Sequence, residues 1–199
     1  MSAILDVGGG TGWLAELVRS GVSYTLLDPR PANSRSDVRT VQGPAENMPV
    51  GANAIGLIVS VSVMQYVDQD AFFGEARRVL APNGVLALHE NGCCNPIIAV
   101  VRIAGKAGGL WSKSRRDYNK SIKAYLKADQ CPADFTLIYA DAAGLLSPIA
   151  TLMGQLKFSR LETTLGRLLI GFDGWALRWP WLRRWAWFRV YHYRLIADP

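Results

Sequence analysis

Apolar positions in the first half of the chain fall in short runs separated by turn residues. AILDV (3–7), VSYTLLD (22–28), VRTVQ (38–42), IGLIVSVSV (55–63) and VLALHE (85–90) each read as a strand, the fourth strongly β-branched. Between them, WLAELV (13–18) predicts a helix ended by Gly21. DQDAFFGEARRVL (68–80) has helical spacing, with Phe72, Ala76, Val79 and Leu80 on one face. Pro29 and Pro31 stop the second strand, and Pro82-Asn83-Gly84 reads as a turn. Strands alternating with helices over short connections predict an open parallel α/β sheet covered on both faces. Such sheets bind ligands at the carboxyl ends of their strands.

The second half is patterned less clearly. Residues 95–128 read as helical, with a Gly-rich break at 105–109 and a basic cluster at Lys113, Arg115 and Arg116. FTLIYA (135–140) reads as a sixth strand, 160–178 as an amphipathic helix broken by Pro180, and WFRVYHYRLI (187–196) as a last strand. No internal repeat or low-complexity tract interrupts this order.

With 199 residues, half of them apolar, the chain suits one globular domain and not a disordered one. No run of 18 apolar residues predicts a spanning helix, and no charged-then-apolar leader opens the chain. Three cysteines, two of them adjacent at Cys93 and Cys94, form neither a disulfide framework nor a metal motif with a histidine, so no metal site is expected. Reduced thiols in a cytoplasmic protein are the expectation. The net charge of +6 is uneven: residues 1–100 hold six Lys/Arg against nine Asp/Glu, residues 101–199 sixteen against seven. The basic half is either a solvated face or one that attracts anionic lipid, phosphate or nucleic acid.

The densest chemical signal is Asp6-Val7-Gly8-Gly9-Gly10-Thr11-Gly12. Glycines behind a strand permit positive φ and let backbone approach a ligand, and the next helix aims its first N–H groups at the same place. Gly10-x-Gly12-x-x-Ala15 matches the dinucleotide pattern, whereas a P-loop is excluded because no Gly-Lys-Ser/Thr follows. Asp6 shifts the balance, since a carboxylate there suits a cationic ligand and not a phosphate.

The acid-x-Gly-x-Gly-x-Gly form resembles the first motif of class I S-adenosylmethionine-dependent methyltransferases, of the type-11-like kind. The likeness continues in order through residues 3–90. Asp28 matches the acid that bonds the ribose hydroxyls. Gln42 to Pro49 is similar to the adenine loop, Ser60 to Val67 to the turn beneath the methionine moiety, and Arg78 to Gly84 to the turn into the fifth strand. The resemblance implies a Rossmann-like, doubly wound, seven-stranded sheet with an antiparallel last strand, and S-adenosyl-L-methionine as cofactor. It implies cofactor contacts from Asp6, Gly8, Gly10, Gly12, Asp28, Pro29, Ala45, Glu46, Ser60 and Gln65. In this reading residues 1–92 carry the cofactor, 93–134 form a variable lid or substrate segment, and 135–199 complete the sheet. Pro44 stands where the family usually has an acid, Gly56 replaces a common aspartate and Tyr66 a frequent histidine. The family's cofactor-covering helix has no counterpart before Ala3, which implies a fragment or a more open site.

Methyl transfer mainly requires positioning, with a base for some acceptors. His89, at the end of the fifth strand, is the candidate base, and Tyr66 a candidate to orient the acceptor. Arg102, Arg115 and Arg116 are candidates for holding an acceptor's phosphate or carboxylate. The tail GWALRWPWLRRWAWF (174–188) holds five of the seven tryptophans, with arginines interleaved. It would either pack on the sheet or rest on a membrane, giving peripheral access to a lipid-linked acceptor. The absence of a recognised RNA-binding module disfavours nucleic acid. The expected activity is methyl transfer to a small hydrophobic or lipid-linked acceptor, such as a glycolipid, polysaccharide precursor or secondary metabolite. A catalytically silent scaffold and a nicotinamide-dependent oxidoreductase are the alternatives.

Overall fold

The apolar runs of the first half become the parallel side of one sheet. In the computed structural model, residues 3–32, 36–107, 122–126, 132–150 and 159–196 are described. Strands β1 (Ile4–Val7), β2 (Tyr24–Asp28), β3 (Arg39–Gln42), β4 (Ile55–Val61), β5 (Leu80–Asn91), β6 (Phe135–Ala143) and β7 (Phe188–Leu195) form a seven-stranded sheet in the order β3-β2-β1-β4-β5-β7-β6. The pairs β1–β2, β1–β4, β2–β3 and β4–β5 are parallel. β7 runs against both neighbours. Gly92, just past β5, and Gly144, just past β6, bond Trp187 at the start of β7, while Ile196 at its far end donates to Asp134 before β6.

The chain divides into two compact units. One comprises residues 1–90, 126–140 and 190–199; the other comprises 91–125 and 141–189. The first contains the apolar core: Leu5, Val7, Leu27, Ile58, Leu86 and Leu88 from the sheet meet Phe72, Phe73, Ala76 and Val79 of helix α1 (Gln69–Val79). Asp68 caps α1 by accepting from the Ala71 amide at 3.0 Å. Phe73 packs edge-on against Tyr193, with ring centroids 6.3 Å apart.

The second unit contains helices α2 (Pro96–Ala107), α3 (Ser159–Ala176) and the short α4 (Pro180–Arg183). Buried Asn95 ties it together. Its carbonyl accepts from the Ile98 amide at the start of α2, and its amide nitrogen lies 2.9–3.0 Å from the carbonyls of Gly144, Leu145 and Trp185. Leu145, Ala176, Leu177 and Ala186 form a small core.

Several boundaries differ from the sequence reading. Trp13–Leu17 is a short 3-10 helix and not an α-helix, and it ends before Gly21. Gly21, with φ +86, serves the next turn instead. β5 starts at Leu80 and contains the expected turn as an irregularity. Against β4 the register jumps from Ile55–Leu80 to Leu57–Val85, with Asn83 left-handed at φ 61. Pro180 does break the long helix, but it also opens α4, as proline at a first helical position does. Lys113, Arg115 and Arg116 lie outside the described residues.

Candidate active site

The site is built at the carboxyl ends of β1, β2, β4 and β5. Asp6 is buried within β1, and Tyr24 of β2 donates its hydroxyl to Oδ2. Burial pushes the Asp6 carboxyl up; the Tyr24 bond pulls it down and the nearby Asp28 charge raises it further. A Cβ on Gly9 would strike Asp6 Oδ2 and come within 2.8 Å of Leu26 Cγ. Asp6 therefore stands directly under the glycine loop, and Gly9 is a packing requirement.

Gly8, Gly10 and Gly12 have φ of 74, 52 and 76, a region that side chains with a Cβ rarely adopt. Their surroundings differ. A Cβ on Gly8 would collide with the Val63 side chain, while one on Gly10 would meet no atom of the described residues within 4 Å. Gly12 closes the loop by donating to Gly9 O at 2.8 Å. The loop is tied to β2 through Asp28, whose Oδ2 accepts from Gly10 N at 3.1 Å and Oδ1 from Arg30 N at 2.7 Å.

Beyond β2, the Pro29 carbonyl accepts from Gln42 Nε2 at 2.9 Å. Ala45 sits in the core, and the Glu46 carboxylate accepts from the Asp68 amide at 3.0 Å, at the α1 cap. This loop is clasped to α1 by a pair that the sequence reading missed. Glu75 accepts from the Met48 amide at 2.7 Å, and Arg78 donates to the Met48 and Val50 carbonyls, each at 2.8 Å. Glu75 and Arg78 also bond each other at 2.7 Å, which holds the Glu75 carboxyl below its usual range.

The turn after β4 opens at Ser62, left-handed at φ 59, whose amide donates to His89 O at 2.8 Å. Glu90, also missed as a site residue, accepts from both Val63 N and Met64 N at 3.2 Å. Burial pushes its carboxyl up to about 8 against the pull of those two amides. Glu90 thus holds the stretch of chain whose Val63 packs on Gly8. Burial pushes the His89 imidazole down, which favours its neutral, proton-accepting form. Tyr66 accepts at its hydroxyl from Gln65 Nε2 at 2.8 Å. Among the described residues, two buried side-chain atoms have no hydrogen-bond partner: Ser60 Oγ and Gln65 Oε1.

Residues 5–88 match the family model of a methyltransferase domain. That match covers less than half of the chain and supports a class I methyltransferase domain there. S-adenosylmethionine is the cofactor of this kind of domain. The chain is 30% identical over 95 residues to an uncharacterized methyltransferase of Mycobacterium tuberculosis, covering 44% of this chain and 39% of that protein. Among solved structures, geranyl diphosphate C-methyltransferase from Streptomyces coelicolor superposes with TM-score 0.58 at 18% identity, over 100% of this chain and 71% of that one. Phosphoethanolamine N-methyltransferase 2 from Haemonchus contortus gives 0.57 at 16%, over 99% and 49%. At these identities the two structures establish a shared fold.

Arg102 stacks its guanidinium over Tyr125, 5.6 Å from the ring centre, and His192 packs its ring against Tyr139 at 5.0 Å. A separate cavity of about 400 Å³ lies within the second unit, between Asp141–Ser147, α3 and Arg183, and holds none of the predicted cofactor residues.

Proposed function

We propose that this protein transfers a methyl group from S-adenosylmethionine to a small hydrophobic or lipid-linked acceptor. The observation that carries the proposal is the open space at Gly10, bordered by the Asp28 carboxylate that bonds the same loop. The donor set fits the cofactor's chemistry. Each Asp28 oxygen accepts one backbone N–H and retains acceptor capacity for ribose hydroxyls. The acid at Asp6 supports the loop and favours a cationic ligand over a phosphate. The buried, unpartnered Gln65 Oε1 and Ser60 Oγ are polar atoms that a bound ligand or water would satisfy. Bound there, the cofactor supplies a methyl group already activated on a sulfonium.

The chain's own residues do the positioning. Glu90 fixes the turn after β4 against the glycine loop. His89, held neutral by burial, serves as the base where the acceptor's proton must leave. The hydrophobic or lipid-linked acceptor is supported by the apolar composition and by the Trp/Arg-rich tail.

Calorimetric titration with S-adenosylhomocysteine and, separately, NADH tests the cofactor. Binding of the homocysteine compound alone is the expected result. Binding of NADH alone would overturn the reading in favour of hydride transfer, and binding of neither would favour a silent scaffold.

A further inference from the structure

The α3–α4 segment turns apolar side chains outward although its helix already has a buried face. Gly166, Asp173, Ala176 and Leu177 occupy the buried side. Leu168, Phe172 and Trp175 recur at spacings of four and three, forming one stripe, and Trp179 follows one turn later. Their exposures are 67%, 44%, 56% and 53%, and Trp181 in α4 is 55% exposed. Isolated exposed apolar residues are ordinary; a contiguous set of this size marks an interaction surface.

Its charge identifies the occupant. Residues 159–189 hold six arginines against two acids. One of the acids, Asp173, is buried with its oxygens accepting from Leu146 N and Ser147 N. Arg167, Arg178 and Arg184 are exposed, and Arg184 lies over the Trp185 ring at 4.8 Å. A second copy of the same face would bring arginine against arginine. An anionic bilayer instead offers phosphate to the guanidinium groups and an interfacial zone in which tryptophan is favoured. Among the described residues no helix is long and apolar enough to cross a membrane, so the contact lies in the plane of the interface.

We propose that the exposed face formed by Leu168, Phe172, Trp175, Trp179 and Trp181, with its flanking arginines, docks this protein on membranes containing anionic lipid. This does not depend on methyl transfer, although it would bring a lipid-linked acceptor within reach.

The test is co-sedimentation of the 199-residue chain with phosphatidylcholine vesicles, with and without phosphatidylglycerol, alongside homocysteine-compound titration of each variant. Binding is expected with phosphatidylglycerol and is expected to weaken as salt rises. Trp175→Ser combined with Trp179→Ser should abolish sedimentation, and Arg178→Gln should weaken it about fivefold. Circular dichroism and cofactor affinity should be unchanged in both variants. A wild-type chain that stays in solution with both vesicles would overturn the proposal. So would equal binding to neutral vesicles, undiminished binding of the double tryptophan variant, or self-association that this variant cures. Loss of cofactor binding with vesicle binding intact would count against the methyl-transfer reading alone.

Discussion

Gly8 and Gly10 both have positive φ but carry different constraints, and substitution separates them. Gly10→Ala puts a methyl group into the open space at the loop, at a φ that costs a side chain about 1–2 kcal/mol. Affinity for S-adenosylhomocysteine should fall at least tenfold while the variant still unfolds cooperatively, as calorimetry and thermal melting would report. Gly8→Ala drives a methyl group into Val63 and should destabilise by about 2–4 kcal/mol, adding overpacking to the same backbone strain. If the two variants lost affinity and stability in parallel, Gly10 would be structural and the ligand would lie elsewhere. His89→Gln should lower turnover without changing cofactor affinity if the imidazole removes the acceptor's proton. Because burial pushes that imidazole down, the acid limb of turnover should lie below its ordinary 6.5.

Elements reach the site through their connections. The clasp of Glu75 and Arg78 joins α1 to the loop after β3 through three backbone bonds. Arg78→Met removes two of them and leaves Glu75 without its counter-charge, so urea unfolding should show a loss of about 1–3 kcal/mol. Cofactor affinity should also drop, because the loop it secures borders the end of β2. This clasp illustrates what the sequence left illegible. β4 was visible because Ile55 to Val61 is apolar and β-branched, and α1 because Phe72, Ala76 and Val79 recur at helical spacing. The motif order then placed Asp6, the glycines and Asp28 together at strand ends. Glu75 and Arg78 looked like any charged pair on a helix face, since their backbone partners lie 27–30 residues away. The helix expected at 13–18 became a 3-10 turn because its apolar residues find no core. Trp13 and Leu17 are both exposed, and propensity alone does not sustain so short a helix. The 174–188 tail divides between its two expectations: Ala176, Leu177 and Ala186 are buried, whereas Trp175, Trp179 and Trp181 are exposed, and composition alone does not separate the two sets.

At the scale of the whole molecule, the site's buried carboxyls make folding depend on pH. Glu90 is nearly enclosed, and its carboxyl is pushed from an ordinary 4.5 up to about 8. A group raised on folding contributes stability that is complete below its unfolded value and lost as pH rises through its folded value. Stability should therefore decline from about pH 4.5 to about pH 8 and then level, as ionisation forces a charge into the space beneath the turn after β4. Asp6 is raised for the same chief reason, burial, so its contribution has the same sign and begins to fall above its ordinary 3.8. Glu75 opposes them: its carboxyl is lowered, so its contribution is lost as pH falls below 4.5 and through its folded value. Chemical denaturation across this range in wild type and Glu90→Gln separates the terms. The glutamine cannot ionise, so the decline toward pH 8 should flatten in the variant while the acid-side loss through Glu75 persists. An unchanged slope in the variant would mean that the Val63 and Met64 amides hold Glu90 ionised throughout. Its role would then be that of a fixed anion beneath the turn after β4, and Glu90→Gln would weaken S-adenosylmethionine more than the uncharged-sulfur homocysteine product if the cationic end binds over that turn.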